Sequence, residues 1–283
     1  MELKPTLGYL ELLATQVCNL VCRGCSTYSD VPHRGYATWQ QVEQELVPWL
    51  ERINIEDVGI MGGEILINPD IMSWLQGLRR LLPRSRIRFV TNGLLVERHW
   101  PIIEWLYQDG NAVLKITRHI DDPRVNSAID RIKNTWSWNP IHEYGIDRWI
   151  APTGLRFQIR DPEYFTQTFQ GNYANMTPWN SDPVEAFAHC HQQTCPMLYQ
   201  GRIYKCSTTA LTSTALERHG WPNLQSWQPF LDPKRNGSID LSSTAAEVQQ
   251  FVNNFGQPHA TCNQCPTVTS GADIKHRINV VLK

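Results

Sequence analysis

The sequence lacks long apolar runs, although hydrophobic residues make up 41% of its 283 residues. Its longest apolar stretches are only a few residues, too short for a membrane-spanning helix. The opening residues Met1–Pro5 also lack the apolar stretch of a secretion signal, so we expect a cytoplasmic protein. The formal net charge is only −1. That near balance argues against the basic field on which general nucleic-acid binding depends.

Cysteine is absent between residues 26 and 189, so the eight cysteines fall into two groups. A chain of this length in a reducing compartment can bury enough surface to fold without disulfides. Two groups far apart in sequence are instead typical of two metal sites. The groups are Cys18, Cys22 and Cys25, and then Cys190, Cys195, Cys206, Cys262 and Cys265.

Strands and helices alternate through the first 160 residues, which predicts βαβ units and a parallel sheet. The predicted strands are 9–16, 57–61, 86–90 and 112–116, and the predicted helices are 38–53, 71–82, 97–108 and 123–136. Thr38 is expected to begin the first helix in a capping box, and Asp70 to cap the second. Two further strands, 148–151 and 155–159, flank a Pro-Thr-Gly turn and form either a hairpin or another crossover.

The sequence pattern after residue 160 predicts a different organisation from that of the first 160 residues. Residues 162–185 have no hydrophobic periodicity and are interpreted as an ordered loop or linker. Leu198–Cys206 predicts a hairpin that turns at Gln200 and Gly201, and 244–255 predicts a helix. We therefore divide the chain into a core of residues 1–160, a linker of 161–186 and a C-terminal domain of 187–283.

The first cysteine group follows a predicted strand, at the end where α/β folds place their chemistry. Three thiolates are one fewer than the four that normally hold an iron–sulfur cluster, so one iron would stay open to another ligand. The alternative is zinc, for which His33 is the nearest candidate fourth ligand.

Together with Gly62-Gly63-Glu64 after the second strand, Cys18, Cys22 and Cys25 make the chain resemble the radical S-adenosylmethionine (SAM) superfamily over about residues 8–160. The resemblance implies an α/β fold with a partial (βα)6, TIM-like barrel. It implies a 4Fe–4S cluster on the three cysteines, with SAM bound to the open iron. It further implies reductive cleavage of SAM to a 5′-deoxyadenosyl radical that abstracts a substrate hydrogen atom, with flavodoxin or ferredoxin as electron donor.

The resemblance also implies a set of cofactor-binding residues. Glycines let the backbone approach the SAM amino group, and the carboxylate of Glu64 can pair with that ammonium. The expected set comprises Gly62, Gly63, Glu64, Thr91, Asn92, Thr117 and Arg118. Two positions depart from the family pattern: Gly24 replaces an aromatic residue that packs on adenine, and Ile65 replaces a frequent proline. Tyr28 or Tyr36 is the expected substitute for that aromatic residue.

The second cysteine group resembles the auxiliary-cluster domain of many radical SAM enzymes. Five cysteines suit its short, one-cluster form, called twitch, better than the two-cluster form, called SPASM. The expected ligands are Cys190, Cys206, Cys262 and Cys265, with Cys195 as the alternative to Cys190. A zinc ribbon would suit the same spacing. If four cysteines bind the auxiliary cluster, its role would be electron transfer. If only three bind, one iron would be open to the substrate.

The expected reaction is oxidation of a small aminocyclitol- or sugar-like molecule, assisted by an auxiliary 4Fe–4S cluster. The alternatives are a maturase that crosslinks or epimerises a ribosomally made peptide, an enzyme acting on a modified nucleoside, and a non-catalytic metal-binding module. The catalytic residue stays unassigned. Candidate proton acceptors are His119, His142, Glu143 and Tyr144, and Arg160 is a candidate for an anionic substrate.

Overall fold

The computed structural model describes residues 4–143, 146–162, 164–267, 275–277 and 281–282. The strands are β1 Thr6–Thr15, β2 Leu20–Val21, β3 Asn54–Gly62, β4 Arg86–Thr91, β5 Ala112–Thr117, β6 Asn139–Glu143, β7 Ile146–Ile150, β8 Arg156–Arg160, β9 Tyr164–Thr166, β10 Met197–Tyr199, β11 Arg202–Tyr204, β12 Lys275–Arg277 and β13 Val281–Leu282. The helices are α1 Trp39–Leu50, α2 Ile71–Leu81, α3 Trp100–Asp109, α4 Pro123–Thr135, α5 Pro183–Ala188, α6 Ser207–Arg218, α7 Leu224–Leu231 and α8 Ala245–Asn253. Among the described helices, none combines the length and apolarity that a bilayer crossing needs.

One large sheet organises the described chain, with the strand order β11-β10-β1-β3-β4-β5-β8-β7-β6. The neighbours from β10 through β8 all pair in parallel, whereas β11, β7 and β6 pair antiparallel at the two ends. The parallel-rich α/β sheet that the strand–helix alternation predicts is therefore confirmed. Helices α1 to α4 lie in the crossover connections, as parallel neighbours require.

The segment after α4 contains the predicted hairpin and, beside it, one strand that the sequence pattern did not predict. Strands β7 and β8 pair antiparallel, which confirms the hairpin interpretation of the Pro-Thr-Gly turn. Strand β6 adds an unpredicted edge beside β7. Tyr144, a candidate proton acceptor, lies outside the described residues, and so do the side chains of His142 and Glu143.

The two faces of the sheet differ in polarity because side chains alternate along each strand. One face is apolar and packs into the main core, where Leu12, Phe89 and Leu114 are almost completely buried. The other face, here called the polar face, is defined by Tyr9, Glu11, Arg88, Lys115 and Arg160. The strand registers place these five residues on the same side of the sheet.

The helix starts agree with the sequence at α1 and at α2, but a side-chain capping bond is present only at α1. At α1, the predicted capping box is confirmed: Thr38 and Gln41 exchange backbone-to-side-chain hydrogen bonds. At α2, Asp70 occupies the predicted N-cap position, but its side chain makes no capping hydrogen bond. Its carboxylate instead accepts the backbone N–H of Trp39 at 2.6 Å, because the start of α1 presents a donor to it.

The C-terminal third is joined to the main sheet by the predicted hairpin. Strands β10 and β11 turn at Gln200 and Gly201, which both have positive φ, and β10 pairs parallel with β1. The sequence did not predict α6 and α7, and the segment 162–185 contains β9 and the start of α5. Strand β12 pairs with β9, and β13 pairs with β2 beside the first cysteine group.

The turn of the hairpin is held by helix α1. The indole Nε1 of Trp49 donates to the carbonyl of Gly201 at 3.0 Å, and the N–H of Gly201 donates to Glu45 at 2.9 Å. Trp49 is fully buried, so its contacts connect the C-terminal hairpin to the core.

Replacing Trp49 with alanine should therefore destabilise the whole chain. We expect the loss of a buried indole and its hydrogen bond to cost about 3–5 kcal/mol of unfolding free energy. Urea unfolding followed by circular dichroism would measure this loss. Trp221→Ala, at a site that is 39% exposed, is the control and should change stability by about 0.5 kcal/mol or less. Equal losses in both variants would contradict the role of Trp49.

Candidate functional site

The first cysteine group lies on the loop that leaves β1, as the sequence predicts. Two tight turns shape this loop, because Cys25 donates its N–H to Cys22 and Tyr28 donates to Cys25. The Sγ of Cys18 accepts the backbone N–H of Leu20 at 3.4 Å. All three cysteines line one cavity of about 240 Å³, here called the triad cavity.

Gly62 and Gly63 at the end of β3 are packed directly against the loop that leads to Cys18. The N–H of Gly63 donates to Thr15, and the N–H of Glu64 donates to Val17, both at 2.9 Å. A Cβ atom on either glycine would overlap a backbone carbonyl, and on Gly63 it would also lie 2.8 Å from the Cβ of Cys18. Glycine is therefore required here by the packing of the cysteine loop, and both glycines also line the triad cavity.

The carboxylate of Glu64 is fully buried and does not line the triad cavity. One oxygen accepts the backbone N–H of Leu66 at 3.0 Å and the hydroxyl of Thr91 at 2.7 Å. The other accepts the backbone N–H of Asn92 at 2.7 Å. Burial raises the pKa of Glu64, and these hydrogen bonds lower it, with burial the larger effect. Glu64 thus braces the ends of β3 and β4, and the backbone of Gly62 and Gly63 faces the cavity.

Of the other predicted cofactor-binding residues, three line the triad cavity and one does not. Thr91, Asn92 and Thr117 line the triad cavity. The side-chain amide of Asn92 donates to Asn19 at 2.7 Å, which holds it beside the cysteine loop. Arg118 lies outside this lining, and its guanidinium donates to both carboxylate oxygens of Asp161 at 2.6 and 2.7 Å.

A different aromatic residue occupies the space beside Gly24. A Cβ on Gly24 would lie 3.3 Å from the Cβ of Phe165, which reaches the triad cavity from β9. Tyr28 is buried in a separate cluster and stacks on Phe169, and Tyr36 is 49% exposed beside another cavity. Neither tyrosine therefore lines the triad cavity. Phe165 lies in the aperiodic segment 162–185, where the sequence carries no signal for it.

A second cavity of about 420 Å³, here called the distal cavity, adjoins the first. It is lined by Cys190, Cys206 and Cys265 of the second cysteine group. The residues that line both cavities are Ser26, Lys115, Thr117, His119, Arg160 and Phe165. The two cysteine groups therefore face a connected space.

Four of the five C-terminal cysteines influence the pKa values of one another. Burial raises the pKa of Cys265, and the nearby thiols of Cys206, Cys190 and Cys262 raise it further. The same two causes raise the pKa of Cys190 to about 11. Because metal binding requires thiolates, such a cluster of thiols would release its protons on binding iron.

Cys195 has different surroundings from the other four cysteines. Its thiol hydrogen-bonds with the buried carboxylate of Glu11, and burial followed by the charge of Glu11 raises its pKa. Burial also raises the pKa of Glu11 to about 8, and Tyr9 donates to that carboxylate at 3.3 Å. Neither Cys195 nor Cys262 is in the lining of the distal cavity, so the contact with Glu11 is what distinguishes Cys195.

Two basic side chains in the wall shared by the two cavities, Lys115 and His119, have lowered pKa values. Burial, followed by the positive charge of Arg160, lowers the pKa of Lys115 to about 8. Burial, followed by the charge of Lys115, lowers the pKa of His119 to about 4, so its ring is neutral at pH 7. Lys115 was missed by the sequence analysis, although a lysine inside an apolar strand is an unusual residue that could have drawn attention to it.

The residues present fit an iron–sulfur cluster better than the zinc alternative at the first cysteine group. His33 contacts the carbonyl of Tyr28 and lines another cavity, so it does not join the triad. All eight cysteines lie in the described part of the chain, and none of them forms a disulfide. Within those same residues, no three His, Cys, Asp or Glu side chains are grouped to hold a single metal ion. The fit therefore rests on three thiols beside a glycine-lined cavity.

Comparison with known proteins gives the family. Residues 12–152 match the model of the Radical SAM superfamily. A GTP 3′,8-cyclase from Peptoclostridium acidaminophilum is 30% identical over 95 residues, which are 33% of this chain and 29% of that protein. Human molybdenum cofactor biosynthesis protein 1 is 32% identical over 101 residues, 34% of this chain and 16% of that protein. The matched segments thus span about a third or less of these curated relatives.

Solved structures show weaker similarity. A histidine-tagged anSMEcpe with bound AdoMet has a TM-score of 0.37 at 21% identity and covers 46% of this chain and 41% of its own. Streptococcus suis SuiB bound to precursor peptide SuiA has a TM-score of 0.35 at 21% identity, with coverages of 41% and 25%. On the family match and the curated relatives, the chain carries a radical SAM domain at residues 12–152 and is an enzyme of that superfamily.

Proposed function

We propose that this enzyme oxidises a small molecule by hydrogen-atom abstraction, with one 4Fe–4S cluster and SAM at the triad cavity and an auxiliary 4Fe–4S cluster beside the distal cavity. Membership of the superfamily implies the first cluster and SAM. The observation that carries the rest is the shared wall, which brings both cysteine groups to one connected space.

The chain's own residues have separate roles at the triad cavity. Cys18, Cys22 and Cys25 would hold the cluster, and the backbone of Gly62 and Gly63, which lines the same cavity, would bind the cofactor. SAM bound there would supply the hydrogen-atom abstraction, which is chemistry of the cofactor rather than of a side chain. Thr91, Asn92 and Thr117 offer hydroxyl and amide groups to its polar parts, and Glu64 keeps the strand ends in place. Arg118, engaged by Asp161, is better assigned a structural role.

Phe165 would support the adenine in place of the aromatic residue that the family pattern has at the position of Gly24. Its ring lines the triad cavity and lies 5.3 Å from the ring of His119. An aromatic ring that faces a cavity offers a sequence-tolerant stacking surface for a base. Because Gly24 has no side chain, Phe165 can pack directly beside it.

Cys190, Cys206, Cys262 and Cys265 are assigned as the auxiliary ligands. All five thiols influence at least one other thiol of the group, but only Cys195 also hydrogen-bonds with Glu11, so it is left out of the ligand set. Four cysteine ligands favour an electron-transfer role for the auxiliary cluster over direct binding of substrate. An electron acceptor beside the substrate space suits a net oxidation.

The cavity dimensions favour a small molecule over a peptide. The distal cavity, at about 420 Å³, lies in the range of small-molecule sites, and the triad cavity is smaller, at about 240 Å³. The relatives named GTP 3′,8-cyclase carry a small-molecule substrate in their name, which agrees with this class. An aminocyclitol- or sugar-like substrate is our proposal, and a peptide substrate is the alternative.

Metal analysis of the anaerobically purified enzyme tests the two-cluster proposal. We expect about eight irons and eight sulfides per chain, and no stoichiometric zinc. Cys22→Ala should retain about four irons and lose formation of 5′-deoxyadenosine from SAM, because only the first cluster loses a ligand. Iron assays and chromatography of the cleavage product measure both.

Cys195→Ala is the matched control for the ligand assignment. It should retain about eight irons, because this thiol is engaged by Glu11. A loss of about four irons in Cys195→Ala, with none in Cys190→Ala, would reverse the assignment. One zinc without sulfide in the wild type would refute the proposed function.

Replacing Phe165 with alanine should weaken SAM binding. We expect Kd to rise about tenfold or more, since stacking of a base on an aromatic ring contributes about 1–3 kcal/mol. Equilibrium dialysis with labelled SAM measures this without turnover. Tyr36→Ala is the aromatic control and should leave Kd unchanged; the reverse result would identify Tyr36 as the adenine partner.

A further inference from the structure

Two cations from neighbouring strands, Lys115 on β5 and Arg160 on β8, line both cavities. In the parallel register Lys115 pairs with Gln158 and Thr117 pairs with Arg160, so the two cations follow each other along the polar face. The positive charge of Arg160 disfavours the ammonium form of Lys115 and so lowers the pKa of that side chain. Two positive charges therefore share one wall of the connected space.

The described residues provide no paired counter-ion for these cations. Neither Lys115 nor Arg160 forms a side-chain hydrogen bond or ion pair with any residue that the structure describes. Asp161 lines the distal cavity, but both of its oxygens accept from Arg118. Glu11 is on the polar face and its charge favours the ammonium form of Lys115, but it lines neither cavity and its carboxylate accepts from the hydroxyl of Tyr9. Lys115 is only partly exposed, and a cation in such a position without an anion is unfavourable, so this wall, which also carries the exposed guanidinium of Arg160, is suited to an anionic ligand.

His119 adds a polar contact beside the pair. Its Nδ1 is buried and has no hydrogen-bond partner within the described chain. The ring stacks on Phe165 and lines both cavities. Because the imidazole is neutral at pH 7, it can exchange a hydrogen bond with a hydroxyl or amine rather than add a third charge.

We infer that the substrate carries an oxyanion, either a carboxylate or a phosphate, that binds between Lys115 and Arg160, with a neighbouring hydroxyl or amine on His119. This inference rests on the proposed function in treating the distal cavity as the substrate space. A guanidinium and an ammonium on one wall together fit an oxyanion that enters from the distal side. The pair specifies the class of substrate rather than the chemistry at the reacting carbon.

Anion binding can be measured on the reconstituted enzyme saturated with SAM, so that the cofactor's own carboxylate is already bound. Inorganic phosphate and succinate are the two probes, titrated at constant ionic strength set by chloride, with the thermal midpoint as the readout. We expect one of them to raise the midpoint saturably in the wild type, and the more effective probe distinguishes phosphate from carboxylate. Lys115→Met and Arg160→Met should each raise the half-saturating concentration about tenfold.

Lys133→Met is the control, because this lysine lies over Trp149 away from both cavities and its variant should respond like the wild type. Equal responses in all variants, or no saturable response in the wild type, would overturn the inference. It would also be overturned if SAM abolished the phosphate or succinate response, since the pair would then bind the cofactor's carboxylate. Loss of about four irons from Lys115→Met would assign the cations to the auxiliary cluster instead.

Formation of 5′-deoxyadenosine by the wild type separates the two proposals. If SAM is not cleaved although phosphate or succinate binds through Lys115 and Arg160, the proposed function fails and the anion site stands. If SAM is cleaved but neither probe binds, the anion site fails alone.

Discussion

The buried carboxylate of Glu64 is the interaction on which the geometry of the site depends. It joins the end of β3 to the end of β4 through Thr91 and the backbone of Asn92. The adjoining backbone of β3 in turn binds the loop that leads to Cys18. Three segments that are distant in sequence thus meet at Glu64, whose side chain has no charged group among its hydrogen-bond donors. Water cannot replace these donors at a fully buried position, so the arrangement is rigid.

The sheet separates stability from function by its two faces. The apolar face, with residues such as Phe89 and Leu114, supplies the core. The polar face carries charged groups where an interior sheet face would ordinarily carry aliphatic ones. Lys115 lies between almost fully buried Leu114 and Ile116, so the chain gives up stability that an apolar residue would contribute there. Such an exchange is expected where a surface must bind a polar ligand.

Short local motifs could be predicted from the sequence, whereas contacts between distant segments could not. Cys18, Cys22 and Cys25 with Gly62-Gly63 indicated the family, because their chemistry depends on spacing within a few residues. The capping box at Thr38 and the turn at Gly201 were likewise local and correct. Phe165 beside Gly24 could not be predicted, since the two lie about 140 residues apart and no periodicity marks β9. Asp70 is the N-cap residue of α2, as predicted, but the hydrogen bond of its carboxylate to the start of α1 could not be predicted because it joins distant segments.

The parallel pairing of β10 with β1 has a consequence for biosynthesis. Glu11 lies opposite Met197, so almost 190 further residues have to be synthesised after β1 before its second neighbouring strand, β10, is available for pairing. During synthesis the outer edge of β1 is an unpaired strand rich in apolar residues, which is a template for aggregation. Contacts of such long sequence separation also slow folding. A nascent chain of this enzyme is therefore expected to depend on chaperones until the β10–β11 hairpin leaves the ribosome.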